Sequence, residues 1–213
     1  MEQVLEKLFE SVPKIRVLRL FMQNSEHEFT LPEILKKSQM RTPVARRELK
    51  KLLRLGLIKK KRATLREEFI KKSRSRRKPP KVVVKTRKVD VFYVNQPFPL
   101  VAELRDLLTK SAFASRKKIH RQIKGLGKIK LAVLAGIFIH NPISRTDLLI
   151  VGDNIKKPKL EKFLEQVEAE LGRDLNYTVM DNAEFKYRMD MYDRFLRDIL
   201  EHPHEKLINR AGL

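Results

Sequence analysis

Apolar positions along the chain change their spacing several times, and each change marks an element. Between Thr30 and Gly56 they recur every three to four residues in "LPEILKKS" and "TPVARRELKKLLRL", which predicts two short helices in tandem. Thr30 and Glu33 form a capping box, with Pro32 inside the first turn of the first helix. A turn around Gln39 to Arg41 follows. Thr42 is placed to cap the second helix, with Pro43 at its first position, and Gly56 is placed to stop it. On this helix Ala45, Leu49, Leu52 and Leu53 share one face, while Arg46, Arg47, Lys50 and Arg54 cluster opposite, with Lys51 beside them. One face packs and the other is a row of cations.

After Gly56 the spacing falls to two. "LIKKKR" and "KVDVFYVN" (88–95) read as paired strands, the second alternating Val89, Val91 and Tyr93 against Asp90, Phe92 and Val94. Pro99 opens a helix with Leu100, Leu104, Leu107 and Leu108 in a stripe, and a basic helix runs from about Ser115 to Gly125. The leucine stripe has two open destinations, the preceding module or a second copy of itself. Homodimer formation through this region and the N-terminal helix is a hypothesis that sedimentation of a micromolar monomer would refute.

Beyond Gly127, "KIKLAVLAGIFI" is a continuous apolar run suited to a strand buried on both faces, and "TDLLIVGD" is a second. "KPKLEKFLEQVEAELG" predicts a helix with Leu160, Phe163, Leu164, Val167 and Leu171 on its apolar side. A strand "LNYTVM" and a final helix follow. The Asp181–Glu184 box caps that helix, and one stripe runs through Phe185, Met189, Tyr192, Leu196 and Ile199. The opening "MEQVLEKLFESVPKIRVLRLF" reads as an amphipathic helix rather than a signal segment. Its longest rival for a membrane span, Leu131 to Ile139, is far short of the ~20 apolar residues a spanning helix needs. No membrane partner is expected.

Composition sharpens the division. The 213 residues contain no cysteine, which excludes disulfides, thiolate metal sites and a cysteine nucleophile and fits a reducing cytoplasm. The formal charge is +22. Residues 1–128 hold 35 Lys and Arg against 12 Asp and Glu, whereas residues 129–213 hold 13 against 14, so the whole excess lies in front. Ten basic and no acidic residues fall in the stretch 71–88: Lys71, Lys72, Arg74, Arg76, Arg77, Lys78, Lys81, Lys85, Arg87 and Lys88. With two serines and a Pro-Pro pair it reads as a mobile loop that a polyanion would order, although "KVVVK" is able to extend the hairpin. The expected fold class is α+β: a basic module over 1–95, a helical linker over 96–127 and a neutral module over 128–213.

Residues 30–62, "TLPEILKKSQMRTPVARRELKKLLRLGLIKKKR", resemble the winged helix-turn-helix transcriptional regulators of the ArsR and MarR type, whose recognition helix closes on a Leu-x-x-Leu-Gly-Leu-Ile ending. The resemblance implies that the second helix enters the DNA major groove. Thr42, Arg46 and Arg47 are then the candidates for base edges, Lys50, Lys51 and Arg54 for phosphates, and the ten cations of 71–88 form an extended wing.

Residues 126–205 resemble the minimal nucleotidyltransferases of the DNA polymerase beta superfamily. "LAGIF" answers to Leu-x-Gly-Ser-Phe, and "TDLLIVGD" to Asp-x-Asp-Leu-Leu-Val-x-Gly-Asp. Nucleotidyl transfer needs acidic side chains at alternate strand positions to hold Mg²⁺. Here Arg145 takes the first position and Asp147 the second, and Ile137 takes the place of the serine after Gly136. The later strand offers Asn176 and Thr178, with Asp174 and Asp181 only near its ends. The implied domain is therefore inactive, a vestigial nucleotide pocket of Gly136, Ile137, Arg145 and Asp147 in which Arg145 and Asp147 pair with each other or hold a ligand. No cofactor and no metal are expected. His202 and His204 lack a third ligand and read as surface residues, and Asp190, Asp193, Arg194, Arg197 and Asp198 as i,i+4 pairs of one helix.

The function that follows is binding of double-stranded DNA by a cytoplasmic, nucleoid-associated protein, a transcriptional regulator or compacting factor. The rear domain would then serve dimerisation or ligand sensing. Two rivals stand beside it. One is an RNA-binding or ribosome-associated factor; the other is an active nucleotidyltransferase of a toxin–antitoxin-like pair.

Overall fold

A computed structural model describes residues 7–71, 81–110, 116–139, 141 and 144–210. The Ser11 hydroxyl accepts the Lys14 amide at 3.2 Å and starts α1 (Val12–Gln23). From Val17 to Met22 every residue of α1 is buried, Arg19 included, so its second half has no solvent face. This helix is the centre of the front half.

The predicted capping box closes α2 (Leu31–Ser38): Thr30 Oγ1 accepts the Glu33 amide at 3.4 Å, and Glu33 Oε2 accepts the Thr30 amide at 2.7 Å. Gln39, left-handed at φ 51°, makes the turn into α3 (Thr42–Leu55), which Gly56 ends at φ 80°. Thr42 does not cap α3. The Arg41 carbonyl already accepts the Val44 and Ala45 amides, so Arg41 is the last residue outside the helix and Thr42 the first within it.

Strand β1 (Phe29–Thr30) pairs with β3 (Lys81–Val94), which pairs along its whole length with β2 (Ile58–Lys71). The register runs from Ile58↔Val94 to Lys71↔Lys81, a hairpin about 45 Å long at roughly 3.4 Å per residue. The valines of 82–84 extend the second strand back to Lys81, seven residues before the expected start at Lys88. The described residues of the expected loop 71–88, namely 71 and 81–88, are therefore all strand. Among the described residues the hairpin packs on the front core at its base, through Ile58, Phe92 and Val94.

In α4 (Val101–Lys110), Val101 and Leu108 are buried and Leu104 half-buried against the front core. These three, at i, i+3 and i+7, form the packed stripe, and Leu100 and Leu107 are left exposed. The expected four-leucine stripe is thus split, and its packed part lies on α1.

The second sheet has the order β6-β5-β4-β7. Strand β4 (Lys128–Leu134) pairs antiparallel with both β5 (Leu148–Asp153) and β7 (Glu205–Asn209), and β5 runs parallel to β6 (Tyr177–Met180). One face carries α5 (Arg116–Lys124) and α6 (Lys157–Leu171), which pack Ile119, Ile123, Phe163 and Val167 on Ala132, Leu134, Leu148 and Ile150. The other carries α7 (Asn182–Asp190) and α8 (Arg194–Glu201), with Phe185, Leu196 and Ile199 on Leu131, Val133, Leu149 and Val151. Helices on both faces explain why β4 and β5 lack apolar–polar alternation. The chain is mixed α/β on two separate sheets, consistent with the α+β class, and no helix among the described residues is long and apolar enough to cross a membrane.

Three expectations fail here for identifiable reasons. Strand β4 stops at Leu134 because Gly136, at φ 50°, turns the chain into a single 3-10 turn (Gly136–Ile139). The final helix is two helices, because Asp193 Oδ1 accepts the Leu196 amide and caps a new start; Tyr192, at φ 52° and 79% exposed, leaves the stripe. The charge pairs differ too: Arg197 reaches Glu201 at 2.9 Å and Arg188 reaches Glu184 at 2.6 Å.

The two halves share a polar seam at the C-terminal end of α6. The Arg19 guanidinium donates to the Glu170 carbonyl at 2.7 Å, and the Asn24 amide to the Gly172 carbonyl at 2.7 Å. The buried Glu170 carboxylate meets Lys118 and, at 3.9 Å, Arg16, while Lys37 binds Asp174. Cations around the carbonyl end of a helix oppose its dipole favourably.

Glu168 borders this seam beside Lys36 and Lys37, in a crevice of about 300 Å³. Burial holds its carboxyl above the usual carboxylate range, and the Leu175 amide, donating at 3.0 Å, opposes that only in part. The folded chain therefore keeps this proton to higher pH than the unfolded chain, and stability falls as pH rises from the unfolded value through the folded one. Glu168→Gln keeps the acceptor for Leu175. Thermal melts between pH 4 and 7 are expected to lose that component of slope, and an unchanged pH profile would refute the assignment.

Candidate nucleic-acid interface

The interface starts from helical period and strand pairing. On α3 the side chains of Arg46, Arg47, Lys50, Lys51 and Arg54 are all exposed, and Thr42 is half-buried in the first turn. Ala45, Leu49 and Leu52 are buried beneath them. Among the described residues no carboxylate pairs with Arg46, Lys50 or Arg54, whereas Arg47 and Lys51 are both held by Glu48, at 3.4 and 3.0 Å. Glu48 is 1% exposed, and its Oε2 is buried with no hydrogen-bond partner. The sequence reading missed Glu48. Its position three residues after Ala45 and four before Leu52 puts it on the packed stripe, and the helical period alone carried that signal.

The hairpin adds a second set of cations. Lys59, Lys60, Lys61, Arg62 and Arg66 on β2 and Lys85, Arg87 and Lys88 on β3 are exposed. The β2 set was absent from the expected site, although "LIKKKR" is plain in the sequence; the register that pairs it with β3 decides its place. Lys61 is fastened, bonded to Glu28 at 2.5 Å and lying 5.4 Å from the centre of the Tyr93 ring. The bond to Glu28 raises its pKa. Lys60 binds Asp90 at 3.2 Å. Lys72, Arg74, Arg76, Arg77 and Lys78 lie outside the described residues, and Lys71 and Lys81 are described only as a backbone pair at the hairpin's far end.

Helix and hairpin are the walls of one groove of about 740 Å³. Arg46 and Lys50 stand on one side, Lys60 and Arg87 on the other. The cations of two separate elements thus face a common space.

The rear pocket residues separate rather than converge. Asp147 is buried, with Oδ1 accepting the Ile137 amide at 2.8 Å and Oδ2 the Asn176 amide at 3.0 Å. A Cβ on Gly136 would overlap Asp147 Oδ1, so the glycine is required by the carboxylate beside it as well as by its positive φ. Arg145 is exposed and meets Asp198 at 3.6 Å. Arg145 and Asp147 therefore do not pair with each other. Asp174 is bound to Lys37, and Asp181 caps α7 by accepting the Glu184 amide at 2.7 Å. His202 and His204 each bond a nearby carbonyl through Nδ1, at 2.8 and 2.9 Å, and no group of three metal-ligating side chains occurs among the described residues.

No family model, no characterised protein and no solved structure matches the chain.

Proposed function

We propose that this chain is a double-stranded DNA-binding protein of the winged helix-turn-helix kind, acting as a transcriptional regulator or nucleoid-associated factor. One observation carries the proposal: Arg46 and Lys50 of α3, which have no carboxylate partner among the described residues, face a single groove with Lys60 and Arg87 of the 45 Å hairpin. Helix α3 would lie in the major groove, with the hairpin as an extended wing over the backbone. The basic module comprises 1–95, and 96–127 links it to a nucleotidyltransferase-like domain over 128–213.

The rear domain is a scaffold without transfer chemistry. What supports this is the state of Asp147, whose two oxygens already accept backbone amides, and of Arg145, which turns to Asp198. Nucleotidyl transfer by two metals needs several free oxygen ligands. Transfer of labelled nucleotide to any acceptor would overturn this part of the proposal.

Salt titration of duplex binding tests the main claim. If Lys50 and Arg54 each neutralise one phosphate, replacing both by alanine makes the log–log salt slope shallower by roughly 1.8, at about 0.9 per contact. Both side chains are exposed, so the fold is expected to survive. Duplex DNA is expected to outcompete structured RNA, because the deep, narrow major groove of A-form RNA excludes a helix. RNA preference, or affinity that ignores salt, would refute the proposal.

A further inference from the structure

The groove between α3 and the hairpin has a floor that duplex DNA does not explain. Half-buried Leu31, Leu53, Leu65 and Val89 line it together with Phe92. A duplex presents phosphates and polar base edges, with only the thymine methyl as an apolar contact. Burying this aliphatic surface against such an edge gains little, and the floor stays uncovered.

Around the floor the charge is one-sided. Arg46, Lys50 and Arg87 have no carboxylate partner among the described residues, whereas the two acids at the groove are both engaged. Glu33 Oε2 accepts the Thr30 amide and hydroxyl at 2.7 and 2.8 Å, and Asp90 binds Lys60. An occupant that satisfies the whole site must bring apolar side chains for the floor and negative charge for the rim.

We propose that this groove is a docking site for an acidic amphipathic helix of a partner protein. Its apolar face would lie on Leu53, Leu65 and Val89, and its flanking carboxylates would meet Arg46, Lys50 and Arg87. The volume of about 740 Å³ suits several side chains at i, i+3, i+4 and i+7, the way a helix anchors in a groove. Single-stranded nucleic acid also joins apolar faces to anions. It takes hold by stacking bases on open aromatic rings, and here the floor is aliphatic and Phe92 is 9% exposed. Because Arg46 and Lys50 belong to both surfaces, a docked helix excludes duplex DNA. The partner would therefore act as a release factor for the DNA-binding face.

The test uses the full chain and three labelled probes read by fluorescence anisotropy. They are a 16-residue helix-forming peptide with leucines on one face and glutamates beside them, its scrambled isomer, and oligo-dT of equal charge. The amphipathic peptide is expected to bind at least tenfold tighter than the other two and to be displaced by duplex DNA. Leu65→Ser/Val89→Ser changes two residues outside the front core, so folding is expected to persist, with a melt as the check. In that variant peptide affinity is expected to fall at least tenfold while duplex affinity stays within twofold. Equal affinity for both peptides, tighter binding of oligo-dT, or indifference to the double substitution overturns the proposal. Failure of duplex binding with peptide binding intact refutes the DNA-binding function and the release role that rests on it but leaves the docking site standing, and the reverse pattern refutes only the docking site.

Discussion

Asp147→Ala is expected to destabilise the chain by about 3 to 5 kcal/mol, because a hydrogen bond to a charged group contributes roughly 1.5–3 kcal/mol and this buried carboxylate accepts two. That is a fifth or more of the ~5–15 kcal/mol that holds a typical domain together. The bonded amides belong to Ile137 and Asn176, so the side chain ties the 3-10 turn after β4 to the loop before β6. Asp147→Asn keeps one acceptor oxygen and turns an amine toward the other donor, and about half the loss is expected. Arg145→Ala touches only an exposed pair at 3.6 Å, and a change within ~1 kcal/mol is expected. Chemical denaturation of the three variants gives the comparison. A loss below ~1 kcal/mol for Asp147→Ala would show that the carboxylate is not structural and would return it to a ligand-binding role.

Asp147 also shows how far the sequence could be read. Its acidic identity and its place before a buried strand were plain, and so was the poverty of carboxylates around it. Its partners are backbone amides 10 and 29 residues away, which no side-chain pattern encodes. Local signals elsewhere were legible for the same reason that they are local. The Thr30–Glu33 box, the Gly56 stop and the face of Ala45, Leu49 and Leu52 each depend on residues within about two turns.

Where two local signals competed, the sequence pointed wrongly. Tyr192 fits the apolar spacing of one long helix, but Asp193 offers a cap, and the bond to the Leu196 amide decides for a break. Strand β7 was invisible because its five residues have one buried position, Ile208, and exist as a strand only by pairing with β4. The groove belongs to the same class. Arg46 and Arg87 lie 41 positions apart, and only the register of β2 on β3 with the packing of Ile58 and Phe92 brings them to one space.

Gly172→Ala is expected to cost about 2 to 5 kcal/mol and to act on the seam between the halves rather than on either core. Two penalties combine there. At φ 78° an L-residue carries roughly 1–2 kcal/mol of strain, and forcing atoms into a packed site costs about 1–3 kcal/mol more. The new Cβ would lie 2.5 Å from the Arg19 carbonyl carbon and 2.7 Å from its oxygen, and a backbone obstacle inside the buried second half of a helix does not swing aside. Separation of α1 from α6 is the remaining relief, and it breaks the bonds from Arg19 to the Glu170 carbonyl and from Asn24 to the Gly172 carbonyl. Asn24→Ala removes one of those bonds without adding bulk, and a loss of about 1 kcal/mol is expected. Thermal unfolding followed by two probes, one in each half, is expected to show coincident transitions in the parent and separate ones in Gly172→Ala. Coincident transitions at an unchanged midpoint would refute the seam. Duplex affinity is the decisive companion measurement. The cations of α3 and the hairpin rest on Ile58, Leu49 and Phe92, whereas the atoms nearest a Cβ at Gly172 belong to Arg19, so an affinity within twofold of the parent is expected while the halves come apart.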